Sequence, residues 1–240
     1  MRINKDRLKR YAKLFLWAIV VLVVWGFFGI KNITVTGNKQ LSKSEIIKTA
    51  QASTSHRPWR NNLLTLDEAA LRKDLLASNY RFKSVSFVRH LPKSLEIKVA
   101  ERQPSLNWQT GGQTYTLDVD GSLIGPAEPG SPLPTVLDSA NLPVKAGDKV
   151  VPAKFVKFCT DIVEQMPKRT GVAVASLRVP DTTSEVYVTT NKGYLIKFDT
   201  TREASEQIDD LVNVLATLSR IKKTPAEYID LRVENRAYYR

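Results

Sequence analysis

The order of hydrophobic and polar positions divides the chain into two regions. Residues 14–30 form an apolar run without a charge, and Lys13 and Lys31 flank it. At about 1.5 Å per residue, a helix of this length spans roughly 26 Å, which is close to the hydrocarbon thickness of a bilayer. After this run, short alternating segments and a few amphipathic stretches continue to residue 240 and predict strands and helices.

The apolar run allows two membrane-related interpretations, a cleaved signal peptide and a retained anchor. Cleavage requires an A-x-A-like pattern of small residues at the end of the run, and the sequence WGFFGI at residues 25–30 has no such pattern. We therefore favour a transmembrane helix over residues 14–30, with membrane residues that include Leu14, Trp17, Trp25 and Ile30. A buried core helix is excluded because no face of the run is polar.

Charge predicts which side of the membrane each part of the chain occupies. Residues 1–13 carry six basic side chains and one acid, which gives a net charge of +5. Since short basic segments stay on the cytoplasmic side, we expect residues 1–13 to be a cytoplasmic arm and residues 31–240 to be exported. The remaining charge of +7 is spread along the exported part, so a nucleic-acid partner is not expected.

The first exported segment predicts a strand followed by two helices. Residues 30–37 alternate apolar and polar side chains as a strand does. Both helix starts have capping-box spacing, with Ser42 three residues before Glu45 and Thr65 three residues before Glu68. Apolar residues at helical spacing follow each start.

Two further strands, residues 82–91 and 94–102, complete an order that packs as a three-stranded sheet covered by two helices. The segment VRHLP lies at residues 88–92, and VAERQP lies at residues 99–104. Together with residues 35–46, these segments resemble the POTRA (polypeptide-transport-associated) domain of the FtsQ/DivIB cell-division family. In that family an aliphatic-x-Arg-x-x-Pro strand is followed by a strand ending in aliphatic-x-Glu-Arg-x-Pro.

The resemblance implies an α+β fold with three parts. An N-terminal transmembrane helix precedes a POTRA domain of βααββ order over residues 31–102. A mixed antiparallel β domain of the FtsQ/DivIB type, with two helices, follows over residues 103–240. The alternative among binding proteins is an export or assembly factor that uses its POTRA domain to bind unfolded substrate.

Turn residues organise the first half of the predicted β domain. Gly111-Gly112 and Asp120-Gly121 each separate two strand-like segments, as hairpin turns do. Asp118 begins a sequence with a slight similarity to a calcium loop. That similarity fails at the sixth position, which lacks glycine, so we expect a plain turn and no metal site.

Two helices and four strands are predicted in the second half. The first helix covers residues 152–166 and is expected to stop at Pro167, while the second starts with Thr200 and Glu203 at capping-box spacing. The predicted strands are residues 172–179, 185–190, 194–199 and 227–233.

The last predicted strand, residues 227–233, has the most bearing on function. Its alternation allows two interpretations, a sheet edge that accepts a partner strand and a strand that completes the domain's own core. In the resembling family, the C-terminal strand after an Ile-Asp-Leu-Arg motif docks the coiled-coil division protein FtsB or DivIC, which pairs with FtsL. The motif is present at residues 229–232. The implied partner-binding residues are Leu231, Arg232, Val233, Tyr238 and Tyr239.

Motifs for catalysis are missing from the sequence. It contains no phosphate-binding glycine loop, HExxH motif, nucleophile elbow or metal-spaced Cys/His cluster, so we expect no catalytic residue, metal or cofactor. An anchored cell-wall enzyme with a dispersed site is the alternative from the enzyme class. Cys159, the single cysteine, lies among apolar residues at helical spacing and is expected in a core.

A polar and aromatic patch lies between the two predicted POTRA helices. His56, Trp59 and Arg60 are concentrated in the loop STSHRPWRNN, residues 53–62. They either contact a recruited partner or the membrane interface, where Trp and Arg are common, or belong to a solvated loop.

These features together predict a bitopic, non-enzymatic scaffold at the division septum of the bacterial cytoplasmic membrane. Its POTRA domain would recruit other membrane division proteins. Its C-terminal sheet edge would bind FtsB- or DivIC-like and FtsL-like coiled-coil proteins.

Overall fold

The computed structural model describes residues 5–55 and 61–240, and the chain divides into two compact units, residues 1–101 and 102–240. The described ranges contain five α-helices and twelve β-strands in two sheets. This content confirms the mixed α+β class predicted from the sequence. Each unit has its own hydrophobic core.

The helices are α1 Lys5–Phe27, α2 Lys43–Ser55, α3 Glu68–Ser78, α4 Ala153–Thr170 and α5 Ala204–Arg220. The strands of the first unit are β1 Asn32–Thr36, β2 Phe82–His90 and β3 Ser94–Glu101. The strands of the second unit are β4 Pro104–Thr110, β5 Gln113–Asp118, β6 Leu123–Pro126, β7 Thr135–Asp138, β8 Val174–Val179, β9 Glu185–Thr190, β10 Leu195–Asp199, β11 Tyr228–Asp230 and β12 Tyr238–Tyr239.

Helix α1 contains most of the apolar run but has different bounds from the predicted span. It begins within the basic arm and ends at Phe27, so Ile30 lies beyond it and packs partly against the core of the first unit. Leu14, Trp17 and Trp25 are exposed on the helix surface. Among the described residues, a search for a helix with the length and apolarity of a membrane crossing finds none.

The first unit is a three-stranded sheet in the order β1-β3-β2, covered by α2 and α3. Strand β1 runs parallel to β3, with Val35 opposite Ile97, and β2 runs antiparallel to β3, with Phe87 opposite the same residue. This arrangement confirms the predicted packing. The buried core residues from the sheet and the helices include Val35, Ile46, Ala50, Leu71, Leu75, Val85, Leu95, Ile97 and Val99.

Glu101, the last residue of β3, holds the loop that leads into α2. Its side chain accepts hydrogen bonds from the backbone N–H groups of Lys39 at 2.6 Å, Gln40 at 3.0 Å and Leu41 at 3.1 Å. Burial raises the pKa of this carboxyl group, but the three N–H donors outweigh it, so its pKa lies below the ordinary value. The ionised carboxylate of Glu101 therefore holds this loop in place.

Arg89, from the VRHLP motif, ties the segment before α3 to strand β2. Its guanidinium donates to the Leu63 carbonyl at 2.7 Å and the Leu66 carbonyl at 3.3 Å, and it pairs with Glu68 at 2.7 Å. A planar group with several fixed donors suits this role, because it bonds two carbonyl groups and a carboxylate at once.

Two of the predicted helix caps are wrong. Asp67, not Thr65, caps α3, because its side chain accepts the Ala70 N–H at 3.0 Å. Helix α5 begins after Glu203 without a side-chain cap, while the Thr200 hydroxyl donates to the Thr183 carbonyl instead. At α3 a residue nearer the helix provides the cap, and at α5 the expected capping hydroxyl bonds a carbonyl group elsewhere in the unit.

The second unit is a nine-stranded sheet in the order β12-β11-β10-β9-β8-β7-β4-β5-β6, and α4 and α5 supply helical residues to its core. The pairs β4/β7, β7/β8 and β10/β11 are parallel, and the other pairs are antiparallel. Cys159 is fully buried in this core, as predicted. The largest buried side chains of this core include Leu106, Leu117, Phe155, Ile162, Met166 and Phe198.

Helix α4 continues past Pro167, contrary to the predicted stop. A proline this close to the C-terminus removes one N–H from the last turn, and the turn still closes through other groups. The Gly171 N–H donates to the Pro167 carbonyl at 3.0 Å, and the Thr170 hydroxyl donates to the Met166 carbonyl at 2.6 Å. Gly171, with φ of +69°, then ends the helix in the left-handed conformation.

Asp118 closes the predicted turn between β5 and β6. Its buried carboxylate accepts the N–H groups of Asp120 at 3.0 Å and Ser122 at 2.8 Å, and it pairs with Arg102 at 2.6 Å. Gly121, with φ of +80°, gives the turn its left-handed residue. Within residues 5–55 and 61–240, no group of three or more His, Cys, Asp or Glu side chains could hold a metal ion.

Candidate partner-binding edge

The C-terminal residues form the last two strands of the nine-stranded sheet. Strand β11 lies parallel to β10, with Ile229 opposite Ile196. The chain then turns back through Asn235, whose φ is +57°, and β12 runs antiparallel to β11. The predicted strand 227–233 is therefore too long, because β11 ends at Asp230 and residues 238–239 form a further strand.

The side chain of Asp230 explains why β11 ends where it does. Its Oδ1 accepts the Arg232 N–H at 3.1 Å, which makes an Asx-type turn. The Leu231 N–H still donates to the Lys197 carbonyl at 2.9 Å, so the chain leaves the sheet only after this residue. The reversal that follows places β12, rather than β11, at the edge of the sheet.

The main chain of Tyr239 is directed away from the sheet. Arg240 and Tyr228 exchange two main-chain hydrogen bonds, with the Arg240 N–H donating at 3.0 Å and the Tyr228 N–H donating at 3.3 Å. Hydrogen-bonded and non-hydrogen-bonded pairs alternate along antiparallel strands, so the next pair, Tyr239 and Ile229, is non-hydrogen-bonded. The N–H and C=O of Tyr239 are thus available to another strand.

Arg232 organises the side chains beside this edge. Its guanidinium pairs with Asp230 at 2.6 Å and with Glu185 at 2.7 Å, and it lies 5.9 Å from the centre of the Tyr187 ring. Two carboxylates and one aromatic face therefore hold this guanidinium in place. The hydrogen bonds with Asp230, followed by its charge, raise the pKa of Arg232 above its ordinary value.

Asp230 and Tyr187, two neighbours of Arg232, both titrate away from neutral pH, for different reasons. Burial raises the pKa of Asp230, but the hydrogen bonds and charge of Arg232 lower it by more. The net pKa lies below the ordinary value, so the carboxyl group stays ionised. Burial and then the hydrogen bond to Glu185 raise the pKa of Tyr187, so its phenol stays protonated. Asp230, Arg232 and Tyr187 therefore each keep one protonation state at neutral pH.

The structure places the five predicted partner-binding residues in different environments. Val233, Tyr238 and Tyr239 are exposed by 48, 49 and 44 %, whereas Leu231 is only 1 % exposed and belongs to the core. Arg232 is half-buried within its ion pairs. Of the five predicted residues, two tyrosines and one valine therefore supply the exposed surface next to the edge strand.

Sequence reasoning did not find the aromatic and basic side chains on the neighbouring strands. Lys197 lies 4.3 Å from the centre of the Tyr228 ring and 5.4 Å from that of Tyr187, and Arg178 lies 5.6 Å from the Tyr187 ring. The alternation of β9 and β10 could have placed Tyr187 and Lys197 outside the core. Their juxtaposition depends on strand register, which no short motif reports.

The patch predicted between the POTRA helices lies outside the described residues. This applies to His56, Trp59 and Arg60, which fall between the two described ranges. The other histidine, His90, is exposed at the end of β2 and hydrogen bonds to Glu96 at 2.9 Å.

Comparison with family models assigns most of the chain. The model for the FtsQ-type POTRA domain matches residues 28–102, and the model for the C-terminal region of cell division protein FtsQ/DivIB matches residues 106–232. The chain belongs to the FtsQ/DivIB family. The resemblance noted in the sequence is therefore confirmed.

Individual FtsQ and DivIB proteins show the same similarity. The cell division protein FtsQ of Chloroflexus aurantiacus is 28 % identical over 214 residues, which cover 88 % of this chain and 73 % of that protein. FtsQ of Chloroflexus aggregans is 27 % identical over 219 residues, with the same coverage. DivIB of Clostridium acetobutylicum is 29 % identical over 98 residues, which cover 41 % of this chain and 37 % of that protein.

The FtsQ/DivIB match includes Arg232 and stops there. Strand β12 and its two tyrosines therefore lie beyond the matched region. In this FtsQ/DivIB chain the matched motif supplies the arginine cluster, and the following residues supply the open strand edge.

Proposed function

We propose that this chain is a non-enzymatic, bitopic scaffold of the bacterial divisome, anchored in the cytoplasmic membrane at the septum. Its membership of a cell-division family supports the divisome role. The exposed apolar side chains of α1 and the basic residues 1–13 support an anchor with a cytoplasmic N-terminus. In this proposal residues 14–30 provide the membrane segment, and residues 31–240 are extracytoplasmic.

The two exported parts have separate roles in this proposal. The POTRA domain, residues 31–102, recruits other membrane division proteins, with His56, Trp59 and Arg60 as contact residues. The β domain, residues 103–240, binds an FtsB- or DivIC-like protein and its FtsL-like companion. No step of this function requires a catalytic group or a cofactor.

The open edge at β12 carries the proposal for partner binding. A partner strand paired with Tyr239 would extend the nine-stranded sheet through main-chain hydrogen bonds. The exposed rings of Tyr238 and Tyr239 would give the contact a large rigid surface, and Val233 would add a smaller one. Arg232 would act mainly by holding the turn between β11 and β12, while Leu231 anchors that turn in the core.

The direct test separates the main chain of Tyr239 from its ring. Tyr239→Pro removes the outward N–H but no ladder bond to β11, whereas Tyr239→Ala keeps the N–H and removes the ring. With strand addition, we expect Tyr239→Pro to abolish pull-down of the FtsB- or DivIC-like partner and Tyr239→Ala to weaken it by about tenfold, the usual range for an interface aromatic.

Circular dichroism of both variants should match the unsubstituted chain, since the substituted residue is exposed at the edge. Full binding by Tyr239→Pro would contradict strand addition at β12.

For the anchor, mass spectrometry of the membrane-bound chain should find residues 1–13 still attached. A mature N-terminus near Lys31 would show cleavage instead.

A further inference from the structure

A cavity of about 660 Å³ lies in the second unit, where α4 and α5 end and β10 begins. Its apolar lining comes from Val172, Tyr194, Leu215 and Leu218. None of the β11 or β12 residues lines the cavity, and the exposed side chains proposed to bind a partner are not part of its lining. The cavity approaches the end of β12 through Pro225, which precedes Ala226, whose N–H donates to the Arg240 carbonyl at 2.8 Å.

Three basic side chains line the same cavity, and no acidic side chain does. Lys192 comes from the turn before β10, and Lys222 and Lys223 follow α5. In the described part of the chain, none of the three has a carboxylate oxygen within ion-pair distance. None of the three is therefore paired with a described carboxylate, and their combined charge of +3 favours an anion in the cavity.

The hydroxyl group of Tyr194 is a second, independent indication of a ligand. The residue is only 4 % exposed, and no described group hydrogen bonds to its hydroxyl. Among the described residues, Trp108 Nε1 is the one fully buried side-chain polar atom without a partner, so the Tyr194 hydroxyl must reach open space. The open space at this side chain is the cavity that it lines.

The chemistry of Tyr194 makes it a donor. Burial raises the pKa of its phenol above the ordinary value, so the hydroxyl keeps its proton at neutral pH. A protonated hydroxyl can donate to an anionic oxygen on a ligand. Because the hydroxyl reaches the cavity and has no described protein acceptor, it is free to donate to a ligand there.

The backbone at Lys222 is left-handed, which is unusual for a lysine. Its φ is +54°, and the turn is closed by the Lys222 N–H to the Ser219 carbonyl at 3.1 Å and the Lys223 N–H to the Leu218 carbonyl at 2.9 Å. Glycine is the favoured residue at such a position after a helix. A lysine is uncommon at such a position, and this one lies on the cavity.

We propose that this cavity binds a phosphate-type oxyanion carried on a small apolar body. Three ammonium groups and one phenol supply donors around an anionic group, as in lysine-based phosphate sites. The valine and leucine side chains and the tyrosine ring of the lining accommodate the apolar body of the ligand. The proposal does not depend on the scaffold function.

A structural role for the lysines makes a different prediction. Basic residues after a helix also offset its C-terminal dipole, in which case their removal should lower stability. Lys223→Gln distinguishes the two roles, because it removes a charge beside the cavity without changing the left-handed residue. If the lysine serves the cavity, the melting temperature should stay the same while ligand binding falls.

The test uses the full chain in neutral detergent and isothermal titration calorimetry. The probes are inorganic pyrophosphate and dihexanoyl phosphatidic acid, with dihexanoyl phosphatidylcholine as the neutral-headgroup control. Tighter binding of the phosphatidic acid would indicate a lipid source for the oxyanion, and tighter binding of pyrophosphate would indicate a free phosphate compound. Either result supports the proposal, and binding of neither probe would overturn it.

Variants locate the binding. Lys222→Gly with Lys223→Gln should weaken binding by about tenfold, as expected for the loss of two surface cations. Tyr194→Phe, which keeps the ring, should weaken it severalfold. The charge-matched control replaces two exposed lysines of the first unit, Lys43→Gln with Lys73→Gln, and should bind normally. Equal weakening in the control, or normal binding in the cavity variants, would overturn the assignment.

Discussion

The bonds that Glu101 makes with the loop before α2 give a quantitative prediction for the first unit. Glu101→Gln keeps one carbonyl oxygen, so the bonds from Lys39 and Leu41 can persist without the charge. The Gln40 N–H lies 3.0 Å from one carboxylate oxygen and 3.2 Å from the other, so it would keep only the longer bond when the nearer oxygen becomes an amide NH₂ group. Loss of the charge and of the shorter Gln40 bond should lower the free energy of unfolding by about 1–2 kcal/mol.

A larger truncation sets an upper comparison. Glu101→Ala removes all three bonds, but water can reach the N–H groups of Lys39 and Gln40 because both residues are exposed. Leu41 is buried, and its N–H would be left without a partner. We therefore expect a loss of about 2–4 kcal/mol for this variant. For a unit of this size, each 1 kcal/mol corresponds to about 4–8 °C in melting temperature.

The pH dependence of the effect has a definite sign. The folded-state pKa of Glu101 lies below its ordinary value of 4.5, so its ionised form stabilises the fold above that pH. This contribution is lost as the pH falls through the folded-state pKa. The difference between the unsubstituted chain and Glu101→Gln should thus be constant near neutral pH and shrink in acid.

The assay is thermal unfolding of the full chain, combined with hydrogen exchange of the peptides that cover the loop and α2. Glu96→Gln is the matched control, because Glu96 lies on the same strand and is hydrogen bonded to Thr36 and His90 at the surface. This control should exchange like the unsubstituted chain within α2. Equal protection of the loop in Glu101→Gln at neutral pH would refute the reasoning.

Three further predictions concern packing at single positions. Gly121→Ala should lower the free energy of unfolding by at least about 2 kcal/mol, since its Cβ would lie 2.0 Å from the Val151 carbonyl oxygen. Gly193→Ala, with open space around it, should lower it by about 1 kcal/mol, and urea unfolding of both variants measures the difference. Arg89→Met should lower stability by about 1–3 kcal/mol and speed exchange in the segment before α3. The buried Cys159 thiol, whose pKa burial raises, should resist N-ethylmaleimide until the chain unfolds, as mass spectrometry would show.

The fold of the first unit could be predicted because its signals are local. The alternation of β2 and β3, the turn between them and the two amphipathic helices each occupy one short stretch of sequence. The segment VRHLP also pointed to Arg89, although only the structure shows the two carbonyl groups that it bonds. The helix caps were less predictable, because Asp67 competes with Thr65 within two residues.

The partner-binding edge was only partly predictable for a physical reason. A strand of two residues, such as β12, is too short to show a hydrophobic period. The contact between Arg232 and Glu185 joins residues 47 positions apart and depends on the order of β9, β10 and β11. The role of Gln207 could not be predicted either, because it is a polar residue within an apolar helix stripe. Its buried side chain bonds both main-chain groups of Asp199.

The order of strands in the second unit also has a mechanical consequence. The chain enters this unit at β4, and six strand interfaces separate β4 from β12. The last of them, between β11 and β12, has two residue pairs in register and one further hydrogen-bonded pair, Arg240 with Tyr228, so it is as short as the shortest of the others. If tension were applied between β4 and a protein held at β12, the load would cross all six interfaces in series. The short outermost interface would be among the first to open, and a bound partner would leave with β12 while the longer β9/β10 interface still holds.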